Sequence, residues 1–137
     1  MIRVLSVSAA AILLTFAAAS AFADDEPARM SRDELLAFIP GTEVSHVNRF
    51  GSQRRWTNGA DGKFVASSDN KKFGSAMGSS SASAPGTWRI SDEGRYCVSI
   101  EWKREAENWC SYIVKGPDGQ FYLGTVDAAR RIEFKTP

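Results

Sequence analysis

The chain has 137 residues, 17 of them Lys or Arg and 16 Asp or Glu. That length supports one hydrophobic core rather than two, and the near-balanced charge excludes the broad basic field of a nucleic-acid or anionic-membrane binder. Arg54-Arg55, broken by Trp56 and close to Arg49, read as a solvated strand face rather than a polyanion site.

Arg3 precedes an apolar run from Val4 to Ala19, and small residues then lead to Ala21-Phe22-Ala23. This is the pattern of a secretory signal with an Ala-x-Ala cleavage site. The run is diluted by alanine and falls short of the ~20 strongly apolar residues a membrane span needs. It is also followed by acidic rather than basic residues. A signal over residues 1–23 is therefore expected, with a mature domain over 24–137 in the periplasm or secreted, and no stable membrane insertion. The leader carries only Arg3, so the mature domain has a formal charge of zero. No cysteine follows the cleavage site, so no lipid anchor is indicated.

Ser31-Arg32-Asp33-Glu34 has the form of a capping box, with Met30 and Leu35 placed as its hydrophobic staple. Leu35, Phe38 and Ile39 share one helical face, and Pro40-Gly41 stops the helix after about two turns. A helix so short holds only by docking on an apolar surface.

From Thr42 the period changes to two, with turn signals every eight to twelve residues, as in an antiparallel meander. Strands are expected at Thr42 to Asn48 and Gln53 to Thr57. A glycine-rich loop at Asn58 to Gly62 leads into a third at Lys63 to Ser67. Ser68 to Pro85, rich in Ser, Gly and Ala, reads as a flexible loop with little to bury. Trp88 and Ile90 alternate before the turn Asp92-Glu93-Gly94. Tyr96, Val98, Ile100 and Trp102 then form an apolar series at every second residue. Lys103 to Asn108 reads as a charged loop, and Trp109 to Val114 as the returning strand. Gly116 to Gly119 makes a turn into Gln120 to Leu123, and Arg130 to Lys135 is the last strand. One short helix followed by seven or eight antiparallel strands predicts a mainly β fold, a curved sheet either closed as a small barrel or folded against the helix.

Cys97 and Cys110 are the only cysteines, and an even pair in an exported chain reads as one disulfide. Setting them opposite each other pairs Val98 with Trp109 and Tyr96 with Ser111, and puts the disulfide on the face opposite Tyr96 and Trp102. Without CxxC spacing or nearby histidines the thiols suit neither a structural zinc nor redox catalysis. No metal and no cofactor is expected.

His46 is the single histidine, with no GxSxG or HExxH around it, so a strand histidine is expected and no catalytic residue is assigned. Glu101, Glu105 and Glu107 alternate with Lys103 and Arg104 as a solvated hairpin tip does. Asp61-Gly62 and Asp118-Gly119 lack the ligand run of a calcium loop and read as turns. The four tryptophans are the stronger signal, because such rings either fill a core or line a partner patch. Trp102 and Trp109 flank the charged tip and are expected to be exposed anchors, with Lys103, Arg104 and Glu105 completing a partner-binding surface.

Gly86-Thr87-Trp88-Arg89-Ile90, followed by Cys97, Cys110 and the Asp118-Gly119 turn, resembles the pattern of small exported proteobacterial proteins grouped as domain of unknown function 995. The likeness extends to the entry from Leu35 to Val44. It implies export, one disulfide and a compact mainly β domain, and it carries over no catalytic residue because the family has no assigned activity.

These readings lead to a non-enzymatic envelope module that binds a protein partner, such as a secreted or cell-wall hydrolase it inhibits. The alternative is a small barrel that carries an apolar ligand. A hydrolase built on His46 is the third reading.

Overall fold

A computed structural model describes residues 27–69 and 82–137. The signal reading lies outside the described residues. Ten antiparallel strands form one sheet: β1 (Ala28–Arg29), β2 (Glu43–Val47), β3 (Gln53–Thr57), β4 (Lys63–Ser68), β5 (Ala82–Ile90), β6 (Tyr96–Glu101), β7 (Ala106–Ser111), β8 (Ile113–Lys115), β9 (Phe121–Leu123) and β10 (Arg131–Lys135). Their spatial order is β1-β8-β9-β10-β2-β3-β4-β5-β6-β7. Only Tyr112 separates β7 from β8 in the chain, yet the two sit near opposite ends of that order, so the sheet curls into a half-barrel.

Alternation decides which side chains fill the curl. Val44, Trp56, Phe64, Ala66, Ala84, Tyr96, Val98, Ile100 and Ile132 are buried on the inner face, while their neighbours along each strand are mostly exposed or half-buried. This is the period-two pattern of a sheet with one dry side. Trp56 stacks on Phe64 with ring centroids 5.2 Å apart, and Tyr96 meets Phe134 edge to face at 5.9 Å. The interior is therefore filled by side chains.

Helix α1 (Arg32–Phe38) closes one end of the curl. The Ser31 hydroxyl accepts from the Glu34 amide at 3.2 Å, supplying one of the orphan donors of a helix start. Leu35 and Ile39 are fully buried, and Phe38 packs on Phe121 and Phe134 at 5.5 and 5.6 Å. Behind the helix lies a polar knot. Asn58 Oδ1 accepts from the Tyr96 hydroxyl at 2.6 Å and from Trp56 Nε1 at 3.1 Å, and Asn58 Nδ2 donates to Thr42 Oγ1 at 3.2 Å. Thr42 Oγ1 in turn donates to the Ile39 carbonyl at 2.6 Å, tying the helix end to the sheet. All four side chains are buried, and burial pushes the Tyr96 phenol far above its ordinary range, with the Trp56 and Asn58 hydrogen bonds opposing.

Several expectations need correction. Ten strands replace seven or eight. The segment read as a loop over 68–85 is strand at both ends: β4 runs to Ser68, and β5 starts at Ala82 with Ser68 and Ala82 in register. Just beyond that segment Gly86 lies under a large ring, since a Cβ there would collide with Phe64. Pro85, which has no amide to donate, precedes the first β5–β6 pair, Gly86 with Ile100. The charged loop is shorter than expected, since β7 begins at Ala106. The single strand expected from Trp109 to Val114 breaks at Tyr112, where the chain crosses from one side of the curl to the other. Both Asp-Gly pairs are turns, with Gly62 and Gly119 at φ of 82° and 78°, where a side chain would be strained.

Candidate functional site

The disulfide joins Cys97 to Cys110 directly across β6 and β7. Val98 faces Trp109 and Tyr96 faces Ser111, which is the register the cysteine positions predict. Such a bond fits an oxidising compartment. It clamps the end of the hairpin nearest the helix; the tip, carrying exposed Lys103, Arg104 and Glu105, projects at the opposite end.

That opposite, open end holds a cluster that no single sequence motif announces. His46 on β2 and Arg54 on β3 are direct cross-strand partners, and Arg54 is in turn the partner of Ser68 on β4. Glu107 and Trp109 reach this row from β7, across the interior. Arg54 Nε lies 3.2 Å from Glu107 Oε2, with both side chains largely shielded from water. Its other arm donates to Ser68 Oγ. Trp102 Nε1 donates to the same Glu107 oxygen at 2.8 Å, and the Arg54 guanidinium stands 4.5 Å over the Trp102 ring. His46 meets Trp109 edge to face at 5.8 Å.

Two atoms of this cluster lack what the polar knot behind the helix has. Among the described residues, no protein group is hydrogen-bonded to the shielded atoms His46 Nδ1 and Trp109 Nε1. Burial holds the His46 imidazole below its ordinary value of 6.5, a backbone hydrogen bond with Val47 and the Glu107 charge oppose this, and the Arg54 charge adds to the lowering. Ser68 Oγ accepts from Arg54, and Glu107 is engaged by Arg54 and Trp102 rather than by His46.

Sequence reading and structure part company at these residues. Trp102 and Trp109 are half-buried on the inner face instead of standing free as exposed anchors. Arg54 and Glu107, read as solvated, are ion-paired inside the mouth; only Lys103, Arg104 and Glu105 remain as an exposed tip. Arg54 shares its strand parity with Trp56, and Glu107 shares its parity with Trp109. That alternation was the available signal for their inward placement. On the outward face, shallow grooves of about 470 and 450 Å³ cross β4 to β7, lined by Val65, Pro85 and Thr87 in one and by Thr87, Asn108 and Cys110 in the other. Among the described residues no cluster of His, Cys, Asp and Glu could hold a metal ion, and no helix is long and apolar enough to cross a membrane.

The sequence profile of the family described as "Protein of unknown function (DUF995)" matches residues 10–123. The chain belongs to that family. No curated protein and no solved structure matches it.

Proposed function

We propose that this chain is an exported, non-enzymatic module that engages a protein partner at the open end of the curled sheet. Lys103, Arg104 and Glu105 make the first contact, and Trp102 and Trp109 stand behind them. The observation that supports the reading most is the filled interior combined with a braced hairpin. Thirteen buried residues occupy the curl, so surface contact is favoured over enclosure of an apolar ligand. The disulfide fixes the hairpin base, which lowers the ordering cost of presenting its tip to a partner. A secreted or cell-wall hydrolase blocked by this tip is the partner class we favour.

The test is recovery of partners from a periplasmic extract on immobilised protein. The wild type is compared with a Lys103→Glu, Arg104→Glu, Glu105→Lys variant, whose exposed substitutions leave the fold intact. A bound protein recovered by the wild type and reduced at least about tenfold by the variant supports the tip, a change worth about 1.4 kcal/mol. Equal recovery by both proteins removes the tip from the site.

A further inference from the structure

The curl is held shut at its open end by side chains rather than by a ladder. β7 is the terminal strand of the sheet, with β6 as its neighbour. Three contacts tie it to the far side: the Arg54–Glu107 ion pair, the Trp109 ring against His46, and the Trp109 ring 6.5 Å from Trp56. The disulfide restrains the hairpin only at its other end, four residue pairs beyond which lies the tip.

His46 sits where one added proton upsets this closure. From β3 it is faced by Arg54, its direct partner, and from β7 by Glu107 and Trp109. From β10 its partner is the apolar Ile132, while the charged neighbours on that strand, Arg131 and Glu133, pair with each other on the exposed side at 2.8 Å. An imidazolium must donate from both nitrogens, and among the described residues only the Val47 backbone supports the charged ring by a hydrogen bond, with no group hydrogen-bonded to Nδ1. It would also place a second cation directly opposite Arg54, a destabilising like-charge pair. The carboxylate within electrostatic reach, Glu107, already serves Arg54 and Trp102.

We propose that His46, Arg54 and Glu107 form an acid-released latch: it holds the β6–β7 hairpin closed with Trp102 and Trp109 turned inward, and it frees both indoles when His46 takes up a proton. The device is independent of the partner reading, because it concerns the free protein alone. Its sign follows from linkage. With the folded-state value of His46 held below 6.5, the unfolded chain binds more protons than the closed form in the window beneath 6.5. Stability is complete above that value and declines as pH falls through the window.

The experiment is NMR of the isotope-labelled mature chain between pH 7.5 and 5. The single imidazole titrates without overlap, and a Trp109→Phe variant assigns its indole. The expected result is a His46 midpoint below 6.5 with the Trp102 and Trp109 indole signals moving at that same midpoint. Hydrogen-exchange protection over Ala106–Ser111 should drop about tenfold per pH unit between 6.5 and that midpoint, while the indole of Trp56 keeps its position. A His46→Phe variant should show no transition in this window. A midpoint at or above 6.5, indoles that stay fixed while His46 titrates, or a His46→Phe protein that keeps the transition would each overturn the latch. The wild-type titration decides the matter even if the variant fails to fold.

Discussion

The two ends of the curled sheet are built from the same kinds of residue and obey different rules. At the helix end, Thr42, Trp56, Asn58 and Tyr96 are buried and joined by a chain of hydrogen bonds that also takes in the Ile39 carbonyl. At the open end, His46, Arg54, Trp102, Glu107 and Trp109 lie half-shielded, with an ion pair at the centre and two buried nitrogens unpartnered. A satisfied polar network rigidifies and specifies its surroundings, whereas a partly satisfied one leaves free energy on the table for a change of state. The helix end therefore fixes the fold, and the open end is where the molecule can respond.

Substitutions at the helix end break this comparison most directly. Asn58→Ala removes the acceptor of the Tyr96 hydroxyl and of the Trp56 indole, and the donor to Thr42, all in a fully buried setting. The expected loss is about 4 kcal/mol from stranded polar groups and the small cavity, seen as a fall in the thermal midpoint of about 10 °C or more. A loss under about 1 kcal/mol would show that the knot is not what holds the helix end. Next in size is the disulfide. The Cys97→Ala, Cys110→Ala double variant opens a closure spanning 13 residues of sequence and should cost about 3 kcal/mol in urea unfolding. An unchanged urea midpoint would mean that the β6–β7 ladder alone sets the hairpin.

A third substitution probes the wall between the two ends. Gly86→Ala would drive a methyl group into the Phe64 ring, and overpacking of this kind costs about 2 kcal/mol. If the midpoint stays put, Phe64 has room to yield and the small-residue hairpin is not tightly packed.

The helix and its capping box were legible in the sequence, while the buried network around Asn58, read only as the start of a loop, and the cluster at the open end were not, for a physical reason. Local signals report local structure: Ser31 with Glu34 marks the helix start, the Tyr96 to Ile100 alternation marks an inner face, and Cys97 with Cys110 sets the β6–β7 register. Arg54 and Glu107 lie 53 residues apart in the chain, and nothing local says that a curl brings them together. Each carries a charge beside other charges, so each reads as solvated until the parity of its strand is followed inward. Ala82 to Pro85 were missed for the opposite reason. Small residues carry little propensity for strand, and what makes them strand here is pairing with β4, Ser68 with Ala82 through Val65 with Pro85.

The smallest expected effect is the most discriminating because it concerns sign. At pH 7.5, His46→Phe keeps a ring against Trp109 and deletes the buried, unpartnered Nδ1 together with the ring's backbone hydrogen bond with Val47. Removing an unsatisfied polar atom in favour of an apolar isostere is neutral or stabilising, so the thermal midpoint should hold or rise, by less than about 1 kcal/mol. The same kind of change at the helix end, Asn58→Ala, goes strongly the other way. If His46→Phe instead loses more than about 1 kcal/mol, the imidazole's bond with the Val47 backbone outweighs the unpartnered Nδ1, and the contrast between the two ends collapses. If it gains stability and also loses its sensitivity between pH 7.5 and 5, one residue accounts for both the strain at the open end and its release.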